Sequence, residues 1–324
     1  MSGVCIVGAG AVGGFIGARL AKSGQAVQVL ARGHTLEALR KQGLTLIEGG
    51  QTAAYAVRAE DDPARLGVQD IVVIAVKAPA LPALASGIGP LIGPDTVVVT
   101  AMNGVPWWFF ARPGPCSGLA LASVDPDGAI GRAIPARQVL GCVVHLTAST
   151  PAPGTVRHGF GARLILGAAG GGSDARVERV AGLLAAAGFE VEVSSAIQQD
   201  IWFKLWGNMT MNPVSVLTGA TCDRILDDPL VNRFCLALME EAGRIGAAIG
   251  CPIAQSGEER NRVTRKLGAF KTSMLQDAEA GRPLEIDALV GAVREIGSHV
   301  GIATPNVDAL LGLVRLHAQV RGLY

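Results

Sequence analysis

Ile6-Val7-Gly8-Ala9-Gly10-Ala11-Val12-Gly13 places three glycines at G-x-G-x-x-G spacing, directly after an apolar run and directly before a helical pattern. Gly8 permits the tight turn, Gly10 lets the backbone approach an anion, and Gly13 lets helix and strand pack closely, with the helix N-terminus facing the anion. The chemistry offered by Gly8, Ala9, Gly10, Ala11, Val12 and Gly13 is the holding of a dinucleotide pyrophosphate. Glycines that serve only close packing are the alternative, but a strand before and a helix after, inside a βαβ unit, is the context that supports binding. The second apolar run, Ala26 to Leu30, ends in Ala31-Arg32-Gly33-His34, where an NAD-preferring fold would offer an Asp or Glu to the ribose. Arg32 offers a guanidinium instead, which suits a 2′-phosphate and favours NADP(H). The plainer alternative is a solvated loop arginine, with an acidic group supplied from elsewhere.

A second constellation is Lys204-x-x-x-Asn208-x-x-x-Asn212, amid Trp202, Leu205, Trp206 and Met209. The i, i+4, i+8 spacing lines the three polar residues along one helix face. A lysine beside indoles and amides in a cleft has the surroundings that lower an ammonium pKa and suit it to donate a proton. An exposed lysine snorkelling from an ordinary amphipathic helix is the competing account. Asn212 precedes Pro213, which biases it away from helical geometry and toward capping a kink.

The elements that must position these residues fall into two patterns. In the first half, strand-like runs at Val4 to Val7, Ala26 to Leu30, Ile71 to Val76 and Val97 to Ala101 alternate with helical stretches at Ala11 to Ser23, Thr35 to Lys41 and Ala80 to Ile88. Such alternation gives a parallel, doubly wound sheet. Runs at Val139 to Thr147, Gly154 to His158 and Arg163 to Leu166 lack intervening helices and suit an antiparallel extension. A helix capped by Ser173 or Asp174 and a strand from Phe189 to Val193 complete the domain. From Ala196 the pattern is helical: Gln198 to Asn212, Pro229 to Gly250, Gly257 to Ala280, Leu284 to Gly301 and Val307 to Gly322. The expected fold class is α/β, with an N-terminal Rossmann doubly wound sheet over 1–195 followed by an all-α domain over 196–324.

Composition narrows the function classes. The 324 residues carry 28 Lys plus Arg against 27 Asp plus Glu, a net charge of +1, so no broad basic footprint exists for nucleic acid or an anionic membrane. No apolar run is long enough to span a bilayer, and the N-terminus lacks the basic n-region of a secretory signal. Six cysteines without metal-ligand spacing argue against a zinc site or a disulfide framework and fit reduced thiols in a cytoplasm. Cys222 has no neighbouring His to activate it as a nucleophile.

Val76-Lys77 at a strand end, Met102-Asn103-Gly104 after the next strand, the Lys204/Asn208/Asn212 helix, Ser273-Met274-Leu275-Gln276-Asp277 and Glu285-Ile286-Asp287 together resemble the 2-dehydropantoate 2-reductase (ketopantoate reductase) family. The resemblance covers nearly the whole chain. It implies hydride transfer from NADPH to the ketone of 2-dehydropantoate, a step of pantothenate biosynthesis, with Lys204 as general acid. Glu285 would orient that lysine or hydrogen-bond the substrate hydroxyl, while Asn103 and Lys77 would meet the cofactor, and Asn103 the substrate too. Asn208, Asn212 and Ser273 would bind the substrate hydroxyl and carboxylate. Each has a plain competitor: Glu285 as a first-turn helix acid, Ser273 as a helix-face hydroxyl, Asn103-Gly104 as a turn pair.

The sequence departs from the family in Pro106-Trp107-Trp108-Phe109-Phe110 and the Gly/Pro-rich chain that follows, in the missing asparagine near Thr221-Cys222, and in Phe270 where an amide would stand. Four aromatics form either a hydrophobic clamp over nicotinamide and substrate or a helix packed into a partner. The expectation is therefore an NADPH-dependent reductase of a small 2-keto acid whose two domains close on the substrate, with no metal. Its rivals are a reductase of a bulkier 2-keto acid and a non-catalytic NADP(H)-binding sensor. The apolar C-terminal helix is compatible with a homodimer.

Overall fold

The computed structural model describes residues 3–324. The runs Val4–Val7 (β1), Ile71–Ile74 and Val97–Thr100 are buried at every position, as strands of a sheet covered on both faces must be. In chain order the strands are β1, β2 (Val27–Leu30), β3 (Leu44–Glu48), β4 (Gln51–Tyr55), β5 (Arg58–Glu60), β6 (Ile71–Ile74), β7 (Val97–Thr100), β8 (Val139–Ala152), β9 (Thr155–Ala168) and β10 (Glu190–Val193). They form one mixed sheet of order β4-β3-β9-β8-β7-β6-β1-β2-β5, with β10 beside β9. The Rossmann part β7-β6-β1-β2-β5 is parallel throughout.

Helices α1 (Ala11–Lys22), α2 (Gly33–Gln42), α3 (Pro63–Leu66), α4 (Leu81–Ala85), α5 (Ala129–Ala133) and α6 (Ala175–Ala186) accompany the sheet. Alternate strand residues such as Val4, Ile6, Val27, Val29, Ile71 and Val73 join Phe15, Ile16, Leu20, Leu39 and Leu184 in one core. Their neighbours Cys5, Val72, Ile74 and Val98, on the opposite face by strand alternation, are buried as well.

The expected pieces between Val139 and Leu166 are the arms of one long antiparallel hairpin, β8 and β9. β3, β4 and β5 were not anticipated. β3 and β4 form a hairpin turned by Gly49 and Gly50, and β3 continues the sheet parallel to β9. The helix expected over Ala80 to Ile88 shortens to a 3₁₀ turn at Ala78–Ala80 and the five-residue α4, because Pro79 and Pro82 open it and Gly87 follows its end.

The chain divides into two compact units, one comprising the residues up to Met102 with Asp127–Ile197, the other Asn103–Pro126 with Gln198–Tyr324. Residues 103–126, which the sequence placed in 1–195, thus belong with the helices. The reason is apolar: Val105, Phe109, Phe110 and Leu121 are buried in the helical core.

The second unit contains α7 (Ile197–Thr218), α8 (Cys222–Asp227), α9 (Pro229–Ala248), α10 (Gly257–Arg265), α11 (Ser273–Glu279), a π-helical turn at Asp287–Gly291, α12 (Ala292–His299) and α13 (Pro305–Val320). The kink expected after Asn212 does not end α7, which runs through Pro213 to Thr218. Met211, Val214 and Val216 on either side of the proline are buried in the core, and this anchorage holds helical geometry past the missing amide. The helix expected over Gly257 to Ala280 is two, because Gly268 sits at φ +64° and Thr272 caps a new start.

Candidate active site

The glycine loop has a division of labour. Gly8 lies at φ +94°, and a Cβ there would stand 2.7 Å from Val76 Cγ1. A Cβ on Gly13 would stand 2.2 Å from the Gly8 carbonyl oxygen, so α1 can sit this close to the loop only without a side chain there. Gly10 differs, because a Cβ on it would meet nothing within 4 Å. Gly10 also caps α1 without a side-chain hydrogen bond and with no acidic residue in the first turn. The first-turn amides, on Ala11, Val12 and Gly13, therefore face outward without a side-chain acceptor at the cap, the arrangement that accepts an anion.

That loop opens on a cleft of about 580 Å³ lined by Val7 to Gly10, by Leu30 to Arg32 with Thr35, by Val76 with Ala80, Ala83 and Leu84, and by Thr150 to Gly154 at the β8–β9 tip. The cleft lies at the C-terminal ends of β1 and β2, where β2 and β6 flank β1 on opposite sides and the strand order reverses. Arg32 is exposed, caps α2, and makes no ion pair among the described residues; no carboxylate lines the cleft. Gly8, Ala9, Gly10 and Arg32 are thus brought together. Lys77 follows Val76 just outside the lining, and Asn103 belongs to the helical unit. Thr35 and the hairpin tip are cleft residues that the sequence did not single out for binding; Gly154 reads there only as the start of a strand-like run.

In the helical unit, Trp202, Leu205, Trp206 and Met209 are buried. The Trp202 and Trp206 indoles donate to the Ala242 and Met239 carbonyls on α9, at 3.3 and 2.7 Å. The indoles thus anchor α7 on the helical core. Lys204 and Asn208 are left on a half-buried flank of α7, and Asn212 is buried. Neither asparagine side chain is hydrogen-bonded among the described residues, so both amides are open to a ligand. The Ser215 hydroxyl shares a 2.6 Å hydrogen bond with Thr272, the cap of α11. This places the exposed Ser273 near the turn of α7 that carries Asn212.

Glu285 is buried, immediately before the helical turn that starts at Ile286, and so differs from an exposed first-turn acid. Gly104, at φ +84°, lies so close to Ala288 that a Cβ would be 2.7 Å from both its Cβ and its carbonyl oxygen, while Val105 donates to that oxygen at 2.8 Å. Ala288 is three residues beyond Glu285, so this contact fixes Asn103 next to the segment carrying the buried carboxylate. Burial pushes the neighbouring Asp287 carboxyl above its usual range, against the hydrogen bond it receives from the Tyr324 hydroxyl at 3.0 Å.

Three of the four aromatics of the run are buried, and Trp107 is half-buried. Trp108, Phe109 and Phe110 are buried, and Phe109 stacks edge-on against Phe110 and meets the Trp202 ring at 6.0 Å. Burial and the charge of Asp223 push the Cys222 thiol up to about 11, which makes it a packing group rather than a nucleophile. No cluster of metal-ligating side chains is present among the described residues, and none of their helices is long and apolar enough to cross a membrane.

Comparison with known proteins decides the family. Residues 4–171 match the model "Ketopantoate reductase PanE/ApbA", and residues 196–318 match "Ketopantoate reductase PanE/ApbA C terminal". The chain belongs to the ketopantoate reductase family. It is 44% identical over 323 residues to the 2-dehydropantoate 2-reductase of Mesorhizobium japonicum, covering 99% of each chain. To the enzyme of that name from Halobacterium salinarum it is 30% identical, covering 97% of this chain and 98% of the other. A crystal structure from Ralstonia solanacearum, assigned to the ketopantoate reductases, is 67% identical and superposes with a TM-score of 0.97 over 100% of both chains. As a member of this family the chain is an NADP-dependent oxidoreductase acting on a CH–OH group. The open Gly10 approach, the uncapped first turn of α1 and the free Arg32 guanidinium fit that cofactor.

Proposed function

We propose that this chain reduces 2-dehydropantoate to pantoate with NADPH, in the cytoplasm, as a step of pantothenate biosynthesis. The observation that carries the proposal is the 44% identity to a 2-dehydropantoate 2-reductase over essentially the full length of both chains. The half-buried Lys204 flank with its open amides supports it.

When bound, NADPH supplies the hydride. The amides of the α1 first turn would hold the pyrophosphate and Arg32 would pair with the 2′-phosphate, while Lys77 and Asn103 would meet the ribose and nicotinamide side. The Lys204 ammonium gives its proton to the keto oxygen as negative charge develops there, so the alkoxide never stands free. Glu285, a buried carboxylate, orients the lysine or accepts from the substrate hydroxyl. Asn103, Asn208, Asn212 and Ser273 hydrogen-bond the substrate and fix which face of the ketone is presented. A homodimer is part of the proposal: Leu313, Leu316 and Val320 form an exposed apolar row on α13.

The test is NADPH oxidation followed at 340 nm with 2-dehydropantoate beside a panel of larger 2-keto acids. Turnover highest with 2-dehydropantoate is expected. Turnover confined to the larger acids would replace the substrate. Tight NADPH binding without turnover of any acid would leave a sensor.

A further inference from the structure

Glu285 is a buried carboxylate, and the chain on both sides of it is tied to residues that follow α13. On one side the Leu284 amide donates to the Leu323 carbonyl oxygen at 2.9 Å, with both leucine side chains in the helical core. On the other side the Tyr324 hydroxyl donates to Asp287 Oδ1 at 3.0 Å. Gly322, at φ +66°, turns the chain at the end of α13, and the Leu323 amide donates back to the Ala318 carbonyl at 2.8 Å, which directs Leu323 and Tyr324 onto the Glu285 segment. Asp287 opens the π-helical turn, a rare geometry that recurs at functional sites. Ile286 just before it has no side-chain group that could cap the turn, so the hydrogen bond from Tyr324 holds its first residue. The same turn supplies the Ala288 oxygen that receives the Val105 amide, and so bears on Asn103 as well.

We propose that Tyr324 is a positioning residue for the reduction: its hydroxyl, acting through Asp287, fixes the turn that follows Glu285 and with it the Glu285 carboxylate. The inference rests on the role given to Glu285 above. A group that orients a proton donor or a substrate must be held within about 0.5 Å of its place, and a displacement of about 1 Å can cost as much as ~100-fold in rate. The Glu285 carbonyl oxygen accepts from the Leu289 amide at 3.2 Å, across the turn, so loosening Asp287 is felt at Glu285 itself. Tyr324 is 52% exposed, so removing its hydroxyl takes little from the core.

The experiment compares wild type with Tyr324→Phe, Glu285→Gln and the double variant, and adds Asp287→Ala and Asp287→Asn. Tyr324→Phe should lower kcat for 2-dehydropantoate about tenfold, with NADPH affinity within about twofold and melting temperature within about 3 °C of wild type. In the Glu285→Gln background the same change should cost less than about twofold, because the tie then has no carboxylate to place. Asp287→Ala should match Tyr324→Phe, whereas Asp287→Asn, which keeps an acceptor for the hydroxyl, should retain kcat within about threefold. Amide hydrogen exchange over 284–291, read without any substrate, should quicken about tenfold in Tyr324→Phe. Independent, multiplying losses in the Tyr324/Glu285 pair, wild-type kcat in Tyr324→Phe, or unchanged exchange over 284–291 would overturn the inference. Wild-type kcat in Glu285→Gln beside a slowed Tyr324→Phe would mean that the tie acts elsewhere and would overturn it too. If wild type turns over no 2-keto acid, the substrate reading fails, while the exchange measurement still decides whether Tyr324 holds the Glu285 turn.

Discussion

Gly10→Ala and Gly13→Ala should separate binding from folding within one loop. At Gly13 the new methyl would stand 2.2 Å from the Gly8 carbonyl oxygen and 2.9 Å from Ala75 Cβ. The nearest obstacle is backbone, so the cost lies at the upper end for overpacking, about 3 kcal/mol. Alanine's better helix propensity returns about 1 kcal/mol. The remaining ~2 kcal/mol corresponds to a fall in melting temperature of roughly 4–8 °C for a domain of this size. At Gly10 the methyl meets nothing, and φ −75° is open to alanine. A lost N-cap preference and a less flexible unfolded chain nearly cancel, so stability should hold within about 0.5 kcal/mol. The same methyl would stand where the pyrophosphate approaches, and NADPH affinity should drop about 100-fold, or ~2.7 kcal/mol. Differential scanning calorimetry without ligand and NADPH fluorescence titration read the two quantities. Wild-type NADPH affinity in Gly10→Ala, or a melting-temperature loss as large as that of Gly13→Ala, would refute the assignment of roles.

Three further outcomes follow from other parts of the molecule. Arg32→Ala should weaken NADPH by about 10- to 100-fold and leave NADH within about twofold, as measured by titration with each cofactor. Because the folded Asp287 carboxyl titrates above its unfolded value, the fold binds the extra proton, and stability falls as pH rises from the ordinary carboxyl range through that raised pKa. Asp287→Asn should flatten this slope in urea unfolding between about pH 4 and pH 7, with its largest gain over wild type at the upper end. Phe109→Ala should cost the helical unit about 3–5 kcal/mol in urea unfolding, while the ranking of 2-keto acid substrates stays unchanged, since Phe109 is core.

The Rossmann half was legible because its signals are local. Val4–Val7, the glycine loop and α1 follow one another within 22 residues, and each element announces the next. β4 was not legible: Gln51-Thr52-Ala53-Ala54-Tyr55 is largely exposed, has no alternation, and owes its place to pairing with β3, which in turn needs β9 more than a hundred residues away. Gly159 and Gly161 broke the apparent period of β9, although glycine is required there: a Cβ on either would press on β8 at 2.5 to 2.7 Å.

Lys204, Asn208 and Asn212 declared themselves through helical spacing, whereas the direction of the indoles did not, because periodicity does not say which neighbour a face will meet. The membership of 103–126 in the helical unit depends on Phe109 against Trp202, a contact between residues 93 positions apart.

The most direct test of the central claim is the turnover of Lys204→Met with 2-dehydropantoate and NADPH, with cofactor affinity measured alongside. Loss of the proton donor should lower kcat by about 10²- to 10⁴-fold while NADPH affinity stays within about twofold. A kcat within about threefold of wild type would contradict the account.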